Sequence, residues 1–171
     1  MNIVFASSEV VPFAKTGGLA DVGGALPNEL ARLGHSPVVF LPAYRQAVHC
    51  GQPIEATDIV ISVPVGSKVV HGRLLRSHLP GGDVPVYLVE QNDYFDRDEL
   101  YRANGEDYRD NCERFAFFCR AVMQSIGLLG NQVDILHAND WQTGLLPAYL
   151  KIEYGKVPGY EQIGALITLH N

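Results

Sequence analysis

Apolar positions fall along this chain in two alternating rhythms. Short apolar runs closed by polar residues, at 3–7, 37–41, 133–138 and 163–169, predict strands buried on both faces. Between them, Leu19, Val22, Leu26, Leu30 and Leu33 recur at helical spacing and Gly34 supplies the stop, with Pro27 expected to kink or restart the helix. A second stripe, Tyr108, Cys112, Phe115, Cys119, Val122 and Ile126, predicts another helix, and Asn104 with Asp107 three residues later is read as its capping box. Runs at 59–65, 73–79 and 84–89, parted by Gly66-Ser67 and Pro80-Gly81-Gly82, predict a β-hairpin excursion. Asn139-Asp140 is expected to open a last helix through Trp141, Leu145 and Tyr149, bent at Pro147.

Strands alternating with helices define an α/β, Rossmann-like, doubly wound and mostly parallel sheet, whose ligands sit beyond the carboxyl ends of the strands. Those ends are polar here: Ser8-Glu9, Tyr44-Arg45, Asn92-Asp93, Asn139-Asp140 and His170-Asn171 are all expected on one edge. Residues 1–171 read as one domain, and the last strand has no helix after it to cover the sheet, so the chain is expected to end inside a larger protein.

Composition narrows the partners. A net charge of −6 argues against nucleic acid and anionic membranes, both of which select basic faces. The start lacks a basic, long-apolar signal pattern and no stretch is long and apolar enough for a membrane span, which leads to an expected cytoplasmic location. Cys50, Cys112 and Cys119 show no ligand spacing and are read as reduced thiols, the helical pair as core packing.

The chemistry concentrates in Lys15-Thr-Gly-Gly-Leu-Ala-Asp-Val-Gly-Gly24, between the first strand and the first helix. A base, glycines that admit close approach and a helix N-terminus suit a phosphate; a tight turn with close helix-to-sheet contact explains the same glycines equally well. The order of residues matches neither the P-loop nor G-x-G-x-x-G. Asp140 is either an N-cap or a group that holds a sugar hydroxyl or developing positive charge. His137 and His170 are proton carriers, sugar ligands or hydrogen-bonded structural residues. Asp96-Arg97-Asp98 has the form of an acid-x-acid metal site and also of a solvated acidic loop; Tyr94-Phe95 either stack on a ligand or fill the core.

Five ordered anchors carry a family resemblance: Ser8-Glu-Val-Val-Pro12, Lys15 to Val22 with Gly24-Ala-Leu-Pro27, Asp110-Asn111 to Arg114-Phe115, His137-Ala-Asn-Asp-Trp-Gln-Thr-Gly144 and Thr168-Leu-His-Asn171. In these the chain resembles the bacterial glycogen synthases and plant starch synthases over essentially its whole length; Asn139 and Gly23 depart from the residues common there. The resemblance implies the N-terminal domain of a two-domain GT-B glycosyltransferase, truncated before the C-terminal domain. The activity implied is retaining transfer of glucose from ADP-glucose to the non-reducing end of an α-1,4-glucan, with no cofactor and no metal. It places Lys15 on the donor diphosphate, Gly18 and Asp21 in the donor pocket, and Asp140, His170 and Asn171 around the transferred glucose, with His170 and Asp140 nearest the chemistry. Glu9 and Tyr94 fall towards the acceptor. Further donor-binding residues lie in the second domain, so this stretch alone is expected to be inactive. Competing readings are a related transferase with another nucleotide sugar, a metal-dependent transferase using Asp96 and Asp98, and a non-catalytic glucan-binding or regulatory module.

Overall fold

A computed structural model describes residues 1–130 and 132–170. In chain order the elements are β1 (Asn2–Ser7), α1 (Gly18–Arg32), β2 (Ser36–Pro42), α2 (Arg45–Val48), β3 (Glu55–Val65), β4 (Lys68–His78), β5 (Pro85–Glu90), α3 (Asn92–Phe95), β6 (Arg102–Ala103), β7 (Glu106–Asp107), α4 (Asn111–Leu129), β8 (Ile135–Asn139), a 3₁₀ turn (Trp141–Thr143), α5 (Leu146–Ile152) and β9 (Gly164–Thr168). Seven strands form one sheet in the order β3-β4-β5-β2-β1-β8-β9. Pairing is parallel from β5 to β9, and β4 runs antiparallel to both β3 and β5, which is the expected hairpin excursion.

β1 lies inside the sheet because its middle is apolar: Ile3, Val4, Phe5 and Ala6 are all buried, and Ala6 lies between Phe40 on one side and Ala138 on the other. The chain leaves β1 through α1 to β2, and later returns through α4 to β8 on the opposite flank. Right-handed crossovers in opposite directions put α1 and α4 on opposite faces and open a crevice where the winding reverses, at the carboxyl ends of β1 and β8.

Four local expectations are corrected. The Asn104-Asp107 capping box does not form; Asp110 is the N-cap of α4, and Asn104-Gly105, at φ +55° and +83°, turns the small β6–β7 hairpin. Asn-Gly is the natural occupant of a tight turn needing two positive φ values, and that local preference prevails over the capping pattern. Helix α1 runs unbroken through a buried Pro27, with no restart. The helix expected from Asn139 is interrupted: the 3₁₀ turn comes first, and Pro147 sits in the first turn of α5, where its missing N–H costs nothing. In α4, Phe115, Cys119, Val122 and Ile126 enter the core as the stripe predicts, but Cys112 is exposed, one residue into the helix and on its open first turn.

Candidate functional site

The loop from β1 to α1 is held from below. Val10 and Ala14 exchange backbone hydrogen bonds at 3.0 Å, and Val10, Phe13 and Ala14 are fully buried, so the loop is anchored by its apolar residues and lifts Lys15-Thr16-Gly17-Gly18 to the surface. Gly17 is the N-cap of α1, extended at φ −151°, and no side chain caps the helix. The first N–H groups of a helix have no intrahelical acceptor, so α1 presents an open, positive end towards the crevice.

The two glycine pairs differ in what surrounds them. A Cβ on Gly17 or Gly18 would meet nothing within 4 Å, and neither residue has positive φ, so the folded chain itself makes no demand for glycine there. A Cβ on Gly23 would lie 2.7 Å from the Glu9 carbonyl oxygen, and one on Gly24 2.9 Å from that of Val11. Close packing accounts for the second pair. The first leaves open space beside the uncapped first-turn amides of α1, those of Gly18, Leu19 and Ala20, which is what an anion or a sugar phosphate requires.

Lys15 Nζ lies 2.6 and 2.8 Å from the two carboxylate oxygens of Asp21, one turn into α1. Both side chains are about half exposed, at 51% and 59%, so the pair contributes only about 0.2–1 kcal/mol. A multiply charged anion at the helix end can readily draw Lys15 away. Glu9, by contrast, is only 4% exposed: its carboxylate accepts from Thr16 N (2.5 Å), Thr16 Oγ1 (2.6 Å), Gly17 N (3.1 Å) and the Tyr101 hydroxyl (2.8 Å).

Across the crevice, at the end of β8, Asp140 has φ +64° and ψ −178°, a backbone region that only glycine occupies freely and that costs about 1–3 kcal/mol. Its N–H donates to Thr168 O at 2.8 Å and its Oδ1 accepts from Trp141 N at 2.8 Å. Asp140 therefore does cap the 3₁₀ turn, yet a cap alone calls for no strained backbone. His170 Nε2 contacts Asn139 Oδ1 at 3.3 Å, and the Asn139 amide is oriented by donating to Ala6 O and His137 O. His137 is buried beneath, its Nε2 2.8 Å from Thr168 Oγ1 and its ring edge-on to Phe5; burial, and then the neighbouring His170, lower its pKa, favouring the neutral form. Asn171 lies outside the described residues.

Other expected residues lie elsewhere. Tyr94 follows β5, two strands and roughly 10 Å from β1. It is buried against Phe95 and Phe117 and donates its hydroxyl to Glu113; burial and that bond push its pKa up to about 12. Asp96 and Asp98 both accept from Arg45, whose guanidinium occupies the place between the two carboxylates that a cation would need.

Tyr101 and Trp141 are the site residues that the sequence reading passes over. Tyr101 comes from the 96–110 segment, bonds both Ser8 and Glu9, and lies 5.9 Å, centroid to centroid, from the half-exposed ring of Trp141, which also meets Phe115 edge-on at 5.2 Å. Burial raises the Tyr101 pKa far above the ordinary tyrosine range and keeps the hydroxyl protonated. The segment is itself held by Arg97 on Asp110 and by fully buried Arg114, which donates to the carbonyls of Tyr94 and Leu100. Nothing local marks Tyr101: its partners are 92 and 93 residues away.

A doubly wound sheet with an uncapped glycine helix start facing a strained acid across its switch point defines an α/β domain whose polar strand carboxyl ends form the crevice where such sheets place their ligands. The chain belongs to the family described as the starch synthase catalytic domain, whose model matches residues 2–171. It is 48% identical over 171 residues to a glycogen synthase of Syntrophotalea carbinolica and 45% identical over 180 residues to one of Rhodopirellula baltica, with all of this chain covered in each case. It resembles in structure the catalytic domain of starch synthase IV from Arabidopsis thaliana bound to ADP and acarbose, with a TM-score of 0.84 and 27% identity over 99% of this chain and 34% of that one. The chain spans about a third of the length of the relatives it matches, 35% and 36% for the two glycogen synthases. Among the described residues no helix is long and apolar enough to cross a membrane.

Proposed function

We propose that this chain is the N-terminal Rossmann-like domain of a two-domain, cytoplasmic, retaining glucosyltransferase. The full-length protein moves glucose from ADP-glucose to the non-reducing end of an α-1,4-glucan. The observation that carries this reading is the open end of α1, with unobstructed Gly17 and Gly18 and a weakly held Lys15, set across the β1/β8 crevice from strained Asp140 and His170. The family membership and the relative bound to ADP and acarbose support a nucleotide-sugar donor and a glucan acceptor.

In this reading Lys15 and the α1 amides hold the donor diphosphate, with Gly18 and Asp21 lining its pocket. As the diphosphate departs, negative charge grows on it and positive charge on the sugar; a cation and a helix N-terminus at the leaving group stabilise the first, and the Asp140 carboxylate faces the second. His170 and Asn171 hold hydroxyls of the transferred glucose. Closure of a second domain over the crevice excludes the water that would otherwise hydrolyse the donor. The remaining donor contacts belong to that second domain, so the 171 residues alone are expected to transfer no glucose.

The test is Lys15→Ala in the full-length protein. Loss of a charge-assisted contact of about 1.5–3 kcal/mol predicts a rise in the KM for ADP-glucose of ~10–150-fold, with maltooligosaccharide affinity unchanged. Equal losses for donor and glucan would reject the diphosphate role. Saccharide binding that ADP does not affect would point to a non-catalytic glucan-binding module.

A further inference from the structure

Among the described residues Glu9 is the one buried carboxylate, and four donors of the chain converge on it. Its Oε2 takes the N–H groups of Thr16 and Gly17, and its Oε1 takes the hydroxyls of Thr16 and Tyr101. Four donors satisfy a carboxylate fully, and the cation of the loop, Lys15, is engaged by Asp21 instead. Such a group is neither free to abstract a proton nor able to reach a ligand at 4% exposure.

It does control the shape of the loop. The amides of Thr16 and Gly17 precede the helix, and without Glu9 they would share the surface with those of Gly18, Leu19 and Ala20, which have no acceptor within the helix. Drawing the first two inward fixes Thr16 and the extended Gly17 below the start of α1 and leaves the amides of Gly18, Leu19 and Ala20 to point along the helix axis. Tyr101 closes the arrangement: its hydroxyl bonds Ser8 and Glu9, and its ring packs on Trp141 next to Asp140. One side chain from the 96–110 segment thus touches both walls of the crevice.

We propose that Glu9 is a positioning residue of the anion-binding loop, held by Tyr101, that aims the α1 amides at the donor phosphates and itself contacts neither donor nor glucan. The inference rests on the diphosphate reading above, but its structural half can be tested without donor.

The discriminating variants are Glu9→Gln and Glu9→Ala in the full-length protein. Hydroxyls can turn from donor to acceptor and backbone N–H groups cannot. A glutamine therefore keeps its carbonyl oxygen on the two amides and offers its NH₂ to the Thr16 and Tyr101 hydroxyls. Positioning survives in Glu9→Gln and is lost in Glu9→Ala. In ligand-free protein, hydrogen exchange of the Thr16 and Gly17 amides is expected to accelerate about ten-fold or more in Glu9→Ala, the equivalent of one ordinary hydrogen bond, and to stay near the parent rate in Glu9→Gln. With donor present, the KM for ADP-glucose should rise roughly 10- to 100-fold in Glu9→Ala, with glucan KM steady; in Glu9→Gln it should hold or fall, since a negative charge leaves the back of the anion site.

Equal loss of activity in the two variants would overturn the proposal in favour of a role that needs the carboxylate charge. Unchanged exchange in Glu9→Ala would overturn it as well. The expected exchange pattern combined with an unmoved donor KM would uphold Glu9 as the organiser of the loop and reject the phosphate reading instead.

Discussion

Alanine substitution at Gly18 and at Gly23 separates the two reasons for glycine in one loop-helix segment. At Gly23 the new Cβ would sit 2.7 Å from a backbone oxygen, 3.1 Å from Val10 Cγ2 and 3.3 Å from Val10 Cα, whereas carbon pairs rest at about 3.5–4.0 Å. The neighbours are the buried backbone of the β1–α1 loop, so relief requires moving that loop. Overpacking of this kind costs about 1–3 kcal/mol, and the better helix propensity of alanine returns about 0.5–1. A net loss of about 0.5–2 kcal/mol lowers Tm by about 2–6 °C for a chain of this size. At Gly18 the Cβ meets nothing, so the propensity gain stands alone and Tm holds or rises slightly. Circular-dichroism melts of the two variants, paired with donor KM in the full-length protein, give the comparison. Gly23→Ala should lose stability, and Gly18→Ala should keep stability while losing donor affinity. A melt for Gly23→Ala at or above the parent, or a lowered melt for Gly18→Ala, would refute the assignment of the first pair to a ligand and the second to packing.

Asp140→Gly should relieve the φ +64° backbone and raise stability by up to about 1–2 kcal/mol in a denaturant titration, the lost bond to Trp141 N offsetting part, while glucose transfer by the full-length protein falls. Stability that drops instead would show that the cap outweighs the strain. Cys119 is buried, and that burial pushes its thiol pKa up to about 12, so a thiol reagent should label exposed Cys112 in the native protein and reach Cys119 only on unfolding. Mass spectrometry of labelled peptides decides it.

The strand and helix pattern was legible because it depends on local apolar spacing, and the parallel sheet with its hairpin follows from the order of those elements. The polar residues after β1, β2, β5, β8 and β9 share one edge of the sheet because those five strands run parallel. What stayed hidden depends on tertiary neighbours. Gly17-Gly18 and Gly23-Gly24 look alike as dipeptides and separate only once Glu9 and Val11 are seen against the second pair. The Tyr101 bond to Glu9 spans 92 residues, and Asp140, at φ +64°, bonds Thr168 28 residues away, so neither arrangement has a local signature. Arg45 on Asp96 and Asp98 is a third case: an acid-x-acid pattern looks free for metal until a guanidinium from 51 and 53 residues away is found between the two. The misplaced start of α4 is different, since Asn104-Gly105 carried a hairpin signal in plain view that a weaker capping pattern obscured.

Trp141 is the only tryptophan of the 171 residues, and its indole is half exposed beside Asp140 while touching Tyr101 and Phe115. The tryptophan fluorescence of this chain therefore comes from a single point on the wall of the crevice. Quenching by iodide or acrylamide reads the openness of that wall directly, and any ligand that seats there or shifts the Tyr101 ring writes its own signal without a dye or an engineered label.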